Sequence, residues 1–193
     1  MAVSKKDELV NAAIRVFGRE GFHASGIEKV LQEAGVSRMT LYNHFKSKEE
    51  LILAALRRRE AYLRERIMQF VEKSGGDPAG RILAVFDFHE HWFRERDFAG
   101  CTLLNATSEF SDPDCAIRKL VSDQKRAFVD YLRTLASSAG LREPECAADE
   151  FNLLLSGAIV TARAIEQSND GDVGAPARIA RRIAVHIIAV RTP

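Results

Sequence analysis

Apolar positions recur at helical spacing along almost the whole chain, and the alternating runs with Asn-Gly or Asp-Gly turns that a hairpin needs are absent. This spacing predicts an all-α fold of about nine helices. A first helix is expected behind Ser4, whose hydroxyl can cap free N–H groups, while Asp7 and Glu8 suit the positive end of the helix dipole. Val10, Ala13, Ile14 and Phe17 give it one apolar face, Gly21 a stop, and Phe22 a residue that folds back on the last turn. Ser25-Gly26-Ile27-Glu28 has capping-box spacing and opens a second, short helix with Ile27, Val30, Leu31 and Ala34 inward. Gly35 ends that helix. Ser37 then caps a third, whose narrow buried side is Leu41 and Phe45.

Ser47-Lys48-Glu49-Glu50 is a further capping box, and the pattern behind it runs through Leu51, Ala54, Ala55, Tyr62, Met68 and Phe70 to Lys73 as one long helix. The Gly/Pro cluster at 74–80 marks a joint. Helices are expected beyond it at about 78–96, 100–110, 113–140, 144–167 and 176–190, with a polar loop at 169–174 before the last. The domains read as an N-terminal head over 1–50, with a helix-turn-helix at about 26–45, and a larger helical body over 51–193.

The third helix has an unusual surface. With Leu41 and Phe45 inward, it turns Arg38, Met39, Thr40, Tyr42, Asn43 and His44 outward, mostly hydrogen-bonding groups and no carboxylate. Arg and Asn can read base edges with two hydrogen bonds, Thr can touch a thymine methyl, and Tyr and His can reach phosphate oxygens. Lys46 and Lys48 follow, and Ser25, Ser37 and Ser47 put helix N-termini close by, where free N–H groups suit phosphate.

The formal net charge of the 193 residues, +1, hides a division. Residues 1–66 carry 13 Lys and Arg against 9 Asp and Glu, so the first third is basic and the remainder mildly acidic. Three Cys, at 101, 115 and 146, are too few and too scattered for a disulfide framework and fit a reducing cytoplasm. The charged N-terminus has no apolar stretch of the secretory kind behind it. No apolar run approaches the roughly 20 residues that span a bilayer.

From Val10 to Leu56, and above all in Ala34-Gly-Val-Ser-Arg-Met-Thr-Leu-Tyr-Asn-His-Phe-Lys-Ser-Lys-Glu-Glu-Leu51, the chain resembles the DNA-binding domain of the TetR family of bacterial transcription regulators. The resemblance implies a homodimer with two recognition helices in successive major grooves of double-stranded operator DNA. It also implies a C-terminal helical domain whose ligand changes their separation. By matching position, Ser25, Tyr42, His44 and Lys48 would contact phosphate, and Arg38, Met39, Thr40 and Asn43 would face bases. Gly26 stands where family members often carry Ser or Thr, so that hydroxyl is missing here.

The helix at 78–96 is apolar or aromatic at Ile82, Val85, Phe86, Phe88, His89, Trp92 and Phe93, more than one packing stripe needs. Phe86, His89, Trp92 and Phe93, with Asn105, Glu109, Phe128, Tyr131 and Arg163, suggest a mostly apolar effector pocket with a few orienting groups. His89 and His91 point to different sides of a helix and do not share an ion, and the row Asp87, His91, Glu95 reads as a solvated face, so no metal is expected. His186, in the apolar run from Ile183 to Val190, reads as a packed histidine. No nucleophile-base pairing, P-loop or dinucleotide fingerprint is present, so neither catalysis nor a cofactor is expected.

Leu154, Ala158 and Thr161 on one late helix, with Ile179, Ile183 and Ile187 on the last, suit a four-helix dimer bundle. The reading is a ligand-responsive dimeric repressor released from its operator by a small apolar or amphipathic effector. One alternative is thiol-based sensing of oxidants or electrophiles at Cys101, placed at a helix start where its pKa can fall. An alternative of another class is an all-α small-molecule-binding protein or enzyme that does not bind DNA.

Overall fold

A computed structural model describes residues 4–168 and 171–193, with the side chains of 166–168 left aside. Residues 1–3 of the charged N-terminus and 169–170 of the expected polar loop lie outside the described residues. Among the described residues there are nine α-helices and no strand: α1 Lys5–Glu20, α2 Ile27–Ala34, α3 Arg38–His44, α4 Lys48–Ser74, α5 Pro78–Phe93, α6 Thr102–Glu109, α7 Ala116–Ser138, α8 Pro144–Ser168 and α9 Ala175–Arg191. They form two compact units. The first is the chain up to Leu63 together with Thr102–Asp123, and the second is Arg64–Cys101 with Gln124–Pro193.

In the first unit, α1, α2 and α3 pack on one another. Ser4 caps α1 by accepting from Asp7 N at 3.1 Å, and Gly21, at φ 86°, closes it with its N–H on Phe17 O. Leu9, Val10, Phe17, Phe22, Val30, Leu31, Leu41 and Phe45 are buried as its core. Each fully buried Leu or Phe contributes about 1.5–3 kcal/mol over leaving it exposed. Gly35 takes the left-handed conformation, φ 63°, and Val36 N donates to Leu31 O, which ends α2 as the sequence predicts. The cap of α2 is Gly26 and not Ser25, which sits one residue earlier. Segment 102–123 also belongs to this unit, so it exceeds the 1–50 head and is discontinuous in sequence.

Two helices differ in detail from the pattern. In α4, Leu63, Ile67 and Val71 are buried at four-residue spacing while Tyr62 and Met68 are half exposed, so the apolar stripe lies one step from the expected register. α7 starts at Ala116 rather than Pro113, because Asp112 accepts from Asp114 N at 2.9 Å and turns the chain there. Cys115 then precedes the helix, its carbonyl taking Lys119 N at 3.2 Å.

The second unit is built on α5, α8 and α9, which pack pairwise. Asp77 caps α5, accepting from Gly80 N at 2.6 Å, with Pro78 in the first turn. Ile82, Val85, Phe86, Trp92, Phe93, Leu132, Phe151 and Ala184 are buried here. Arg181 to Asp87 at 2.6 Å, and Arg178 to Glu90 at 2.8 Å and to Asp172, tie α9 to α5 and to the turn before α9. An apolar strip on α8 and α9 stays exposed: Leu153, Val160, Ile179, Ile183 and Val190. His186 is exposed, not packed, because Ala180 and Ala184 carry the inward face of α9 and His186 lies off it. No helix among the described residues is long and apolar enough to cross a membrane.

Candidate nucleic-acid interface

α3 is only seven residues long, and its ends explain why. Ser37 Oγ accepts from Thr40 N at 3.2 Å, and at the other end Phe45 is extended and buried, so the chain leaves the helix to reach the next cap. Ser47 provides it, accepting from Glu50 N at 3.2 Å, while the Glu50 carboxylate accepts from Lys46 N at 2.7 Å. With Leu41 buried, Arg38, Met39, Tyr42, Asn43 and His44 are exposed and Thr40 half-buried, its hydroxyl 3.0 Å from that of Ser37. Met39 is 75% exposed, far above the usual for a methionine that only packs.

Arg38 is exposed yet engaged: its guanidinium pairs with Glu28 of α2. A ligand for the guanidinium N–H that Glu28 takes up would have to displace Glu28, an exchange that a surface ion pair permits because water screens it. Lys48 is half-buried at the start of α4 with its ammonium 6.0 Å from the Phe17 ring centre, and burial lowers its pKa. Ser25 is placed differently from the expectation. It is fully buried and its hydroxyl donates to Gly21 O at 2.6 Å, because at the position before the cap the side chain turns back on the α1–α2 turn. It therefore shapes that turn and does not face a phosphate.

Glu109 departs most from the sequence reading. Its carboxylate accepts from Phe22 N at 2.8 Å and from His23 N at 2.7 Å, and its backbone oxygen lies 3.0 Å from His23 Nε2. Phe110 packs beside it at a tilt against Phe22 and His23, ring centres 5.6 and 4.8 Å away. A Cβ on Gly21 would come within 2.9 Å of Glu109 Oε1, so glycine is required there by both its positive φ and this approach. Glu109 thus fastens the end of α6 to the turn that orients α2, and is spent on that rather than on a ligand. The residues are 87 apart, and nothing local in the sequence signals the pairing.

Asn105 shares α6 with Glu109 in the first unit. The other expected effector residues fall in the second: Phe86, His89, Trp92 and Phe93 on α5, Phe128 and Tyr131 on α7, and Arg163 on α8. All four on α5 are buried, Phe128, Tyr131 and Arg163 half-buried. His89 Nδ1 donates to Val85 O at 2.7 Å, and burial pushes its pKa down to about 4, so it is neutral at physiological pH. Burial also raises Tyr131. Arg163 stacks its aliphatic stem on Gly100, whose Cβ would meet Cγ at 3.6 Å.

The row Asp87, His91, Glu95 is accounted for by other contacts. Asp87 pairs with Arg181, Glu95 with Arg66, and His91 Nδ1 lies 2.7 Å from the carbonyl of Asp87. Cys101 does precede α6, but it is buried, 7% exposed, and so is not presented to solvent. Leu154, Ala158, Thr161, Ile179 and Ile183 line one open groove of about 370 Å³ on α8 and α9; Ile187 lines a second, with Arg142, Glu150 and Arg191.

Comparison with known proteins gives these features a setting. Residues 9–55 match the family profile described as bacterial regulatory proteins, tetR family. The chain is 32% identical over 123 residues to the HTH-type transcriptional activator FasR of Mycolicibacterium smegmatis, covering 62% of this chain and 54% of that protein. It thus spans about half the length of that relative. It is 30% identical over 156 residues to the HTH-type transcriptional regulator BetI of Rhizobium meliloti, covering 80% of this chain and 72% of that protein. The crystal structure of SCO4454, a TetR-family transcriptional regulator from Streptomyces coelicolor, superposes with a TM-score of 0.88 at 26% identity, covering 98% of this chain and 96% of that one. The all-α architecture, the short α3 between two serine caps and these similarities together place the chain in the TetR family of bacterial regulatory proteins.

Proposed function

We propose that this chain is a dimeric repressor that holds double-stranded operator DNA through α3 and lets go when a small apolar or amphipathic effector enters the second unit. The observation that carries the reading is the surface of α3. Arg38, Met39, Thr40, Tyr42, Asn43 and His44 form a mostly polar, carboxylate-free row held by buried Leu41 and Phe45 within the segment that matches the family profile. Tyr42 and His44, with Lys48 at the start of α4, fit phosphate; Arg38, Met39, Thr40 and Asn43 fit base edges.

Dimerisation follows from the exposed apolar strip on α8 and α9. Leu153, Val160, Ile179, Ile183 and Val190 together leave more apolar surface in water than scattered side chains do, and a second copy is the occupant that would also supply two α3 helices for two half-sites. Coupling has a covalent basis: the chain passes from one unit to the other after Leu63, after Cys101 and after Asp123. An effector that reorders the second unit therefore acts on three connections at once, one of them leading into α6 and Glu109.

The test is a gel-shift selection, at low salt, on fragments from the gene's own upstream region, followed by sedimentation at micromolar concentration. Retention of a discrete fragment by a dimer is expected. Failure to retain any fragment would favour an all-α binding protein or enzyme without DNA binding. Cys101→Ser is expected to release DNA with the same effector; loss of a response to oxidants or electrophiles in that variant would transfer regulation to the thiol.

A further inference from the structure

In the first unit, α3 opens on a residue that its own helix does not favour. Arg38 is the first residue of α3, where the helix dipole suits an anion, and no acidic residue stands in that first turn. A residue kept against a local preference marks a place where function outweighs it. The charge is met from outside the helix: the guanidinium donates through one terminal nitrogen to Glu28 of α2. Glu28 is available because of where α2 begins. In a capping box on Ser25 its carboxylate would turn back to the cap's own N–H, but the cap is Gly26, so Glu28 falls one position early and reaches across to α3. Glu33, the other carboxylate of α2, is taken by Arg15 and Arg19 of α1.

The pair discriminates between the two kinds of acceptor that DNA offers. Its side chains are 65% and 67% exposed, so neither partner is held by burial and both face solvent beside the outward row of α3. A guanidinium carries N–H donors on every nitrogen of a planar fork, and Glu28 takes from one nitrogen only. A neutral base edge, such as N7 and O6 of guanine, can therefore be served by the rest of the fork with the carboxylate still in place. A phosphate instead brings a negative charge up to the same fork, where it meets the negative charge of Glu28. It has to displace the carboxylate before Arg38 can neutralise it.

We infer that Glu28 is a positioning residue for DNA recognition: by holding Arg38 it withholds the guanidinium from phosphate and leaves it for a base edge, so it weakens binding to random sequence more than binding to the operator. This rests on the reading of α3 as the DNA-contacting helix and adds a specificity determinant on α2 that acts through Arg38. Its signature is a change in discrimination rather than in fold, because both side chains are exposed and the core of the unit does not depend on them.

The test is fluorescence anisotropy of two labelled duplexes over a range of salt, with the full-length protein. One duplex is the upstream fragment retained in the gel-shift selection, and the other is a scrambled sequence of the same length. Glu28→Gln keeps the shape of the side chain and removes its charge, and circular dichroism should match the wild type. On the scrambled duplex it should tighten binding about threefold to tenfold at low salt. The slope of log affinity against log salt should steepen there by about one, as one further phosphate contact requires. On the retained fragment the gain should stay below about twofold, so the ratio of the two affinities falls. Glu28→Ala should act in the same direction. In an Arg38→Gln background, Glu28→Gln should leave the salt slope where it was, because no guanidinium is released. An unchanged slope on scrambled DNA, an equal gain on both duplexes, or the same gain without Arg38 overturns the inference and leaves DNA binding by α3 standing. Absence of binding to either duplex by the wild type overturns both.

Discussion

The two units use their side chains in opposite ways. In the first, chemistry faces out: α3 buries Leu41, with Phe45 buried just beyond its end, and apart from Met39 turns hydrogen-bonding groups toward water. In the second, polarity is drawn in: α5 encloses His89 and Trp92 among phenylalanines, neutral and, for the indole N–H, unpaired. A surface that is to meet DNA must be preformed and accessible, whereas the interior around α5 is closed to water. The difference separates what each unit loses when altered.

The largest effect is expected in the core of the first unit. Phe17→Ala, which removes a fully buried ring tilted against that of Phe22, should cost about 3–5 kcal/mol in denaturant unfolding. Trp92→Phe in the second unit should cost far less than a buried aromatic normally does, because the lost indole N–H has no partner to abandon. A loss as large as that of Phe17→Ala would erase the contrast.

Next comes the fastening of α6. Glu109→Ala leaves Phe22 N–H and His23 N–H without their acceptor and should destabilise the first unit by about 1–3 kcal/mol. Operator affinity should fall in the same variant, with Glu109→Gln between it and wild type. Unchanged stability and DNA binding would show that the contact orients nothing.

Acid distinguishes the units too. His89 is held neutral by burial with a pKa of about 4, below its unfolded value near 6.5, so the unfolded chain takes up the proton first. The stability that His89 contributes is complete above about pH 6.5 and falls through the window down to 4, on the order of 1 kcal/mol per pH unit. His89→Phe should flatten that part of the stability profile, and a slope unchanged by the substitution would contradict the assignment.

The smallest expected effects lie on α3. Tyr42→Phe should weaken binding several-fold on specific and random DNA alike, as loss of a phosphate contact does, whereas Thr40→Ala should alter base preference with little change in random binding. Equal losses on both kinds of DNA for both variants would remove the division between phosphate and base contacts.

Much of this was legible in the chain because it is local. Ser4, Ser37 and Ser47 announce their helices, Gly21 and Gly35 end theirs, and Leu41 with Phe45 decides which face of α3 meets solvent. Spacing failed where tertiary packing chose between near-equal options. Tyr62 and Leu63 are adjacent apolar positions, and of the two only Leu63 is buried. Ser25 had the right spacing for a capping box, yet backbone geometry put Gly26 at the cap. Glu109 and the pairing of Arg38 with Glu28 were beyond reach altogether, since a carboxylate on a turn 86 residues away and an ion pair between two helices leave no periodic trace.

On the proposed reading, α3 reads operator DNA and the second unit controls it. Fluorescence anisotropy of a labelled operator duplex, for wild type and for the double variant Arg38→Ala, Asn43→Ala, tests it most directly. Tight, salt-sensitive binding is expected of the wild type, reduced to the level of random DNA in the variant with its oligomeric state and helical content unchanged. Binding that survives the double substitution unchanged would contradict it.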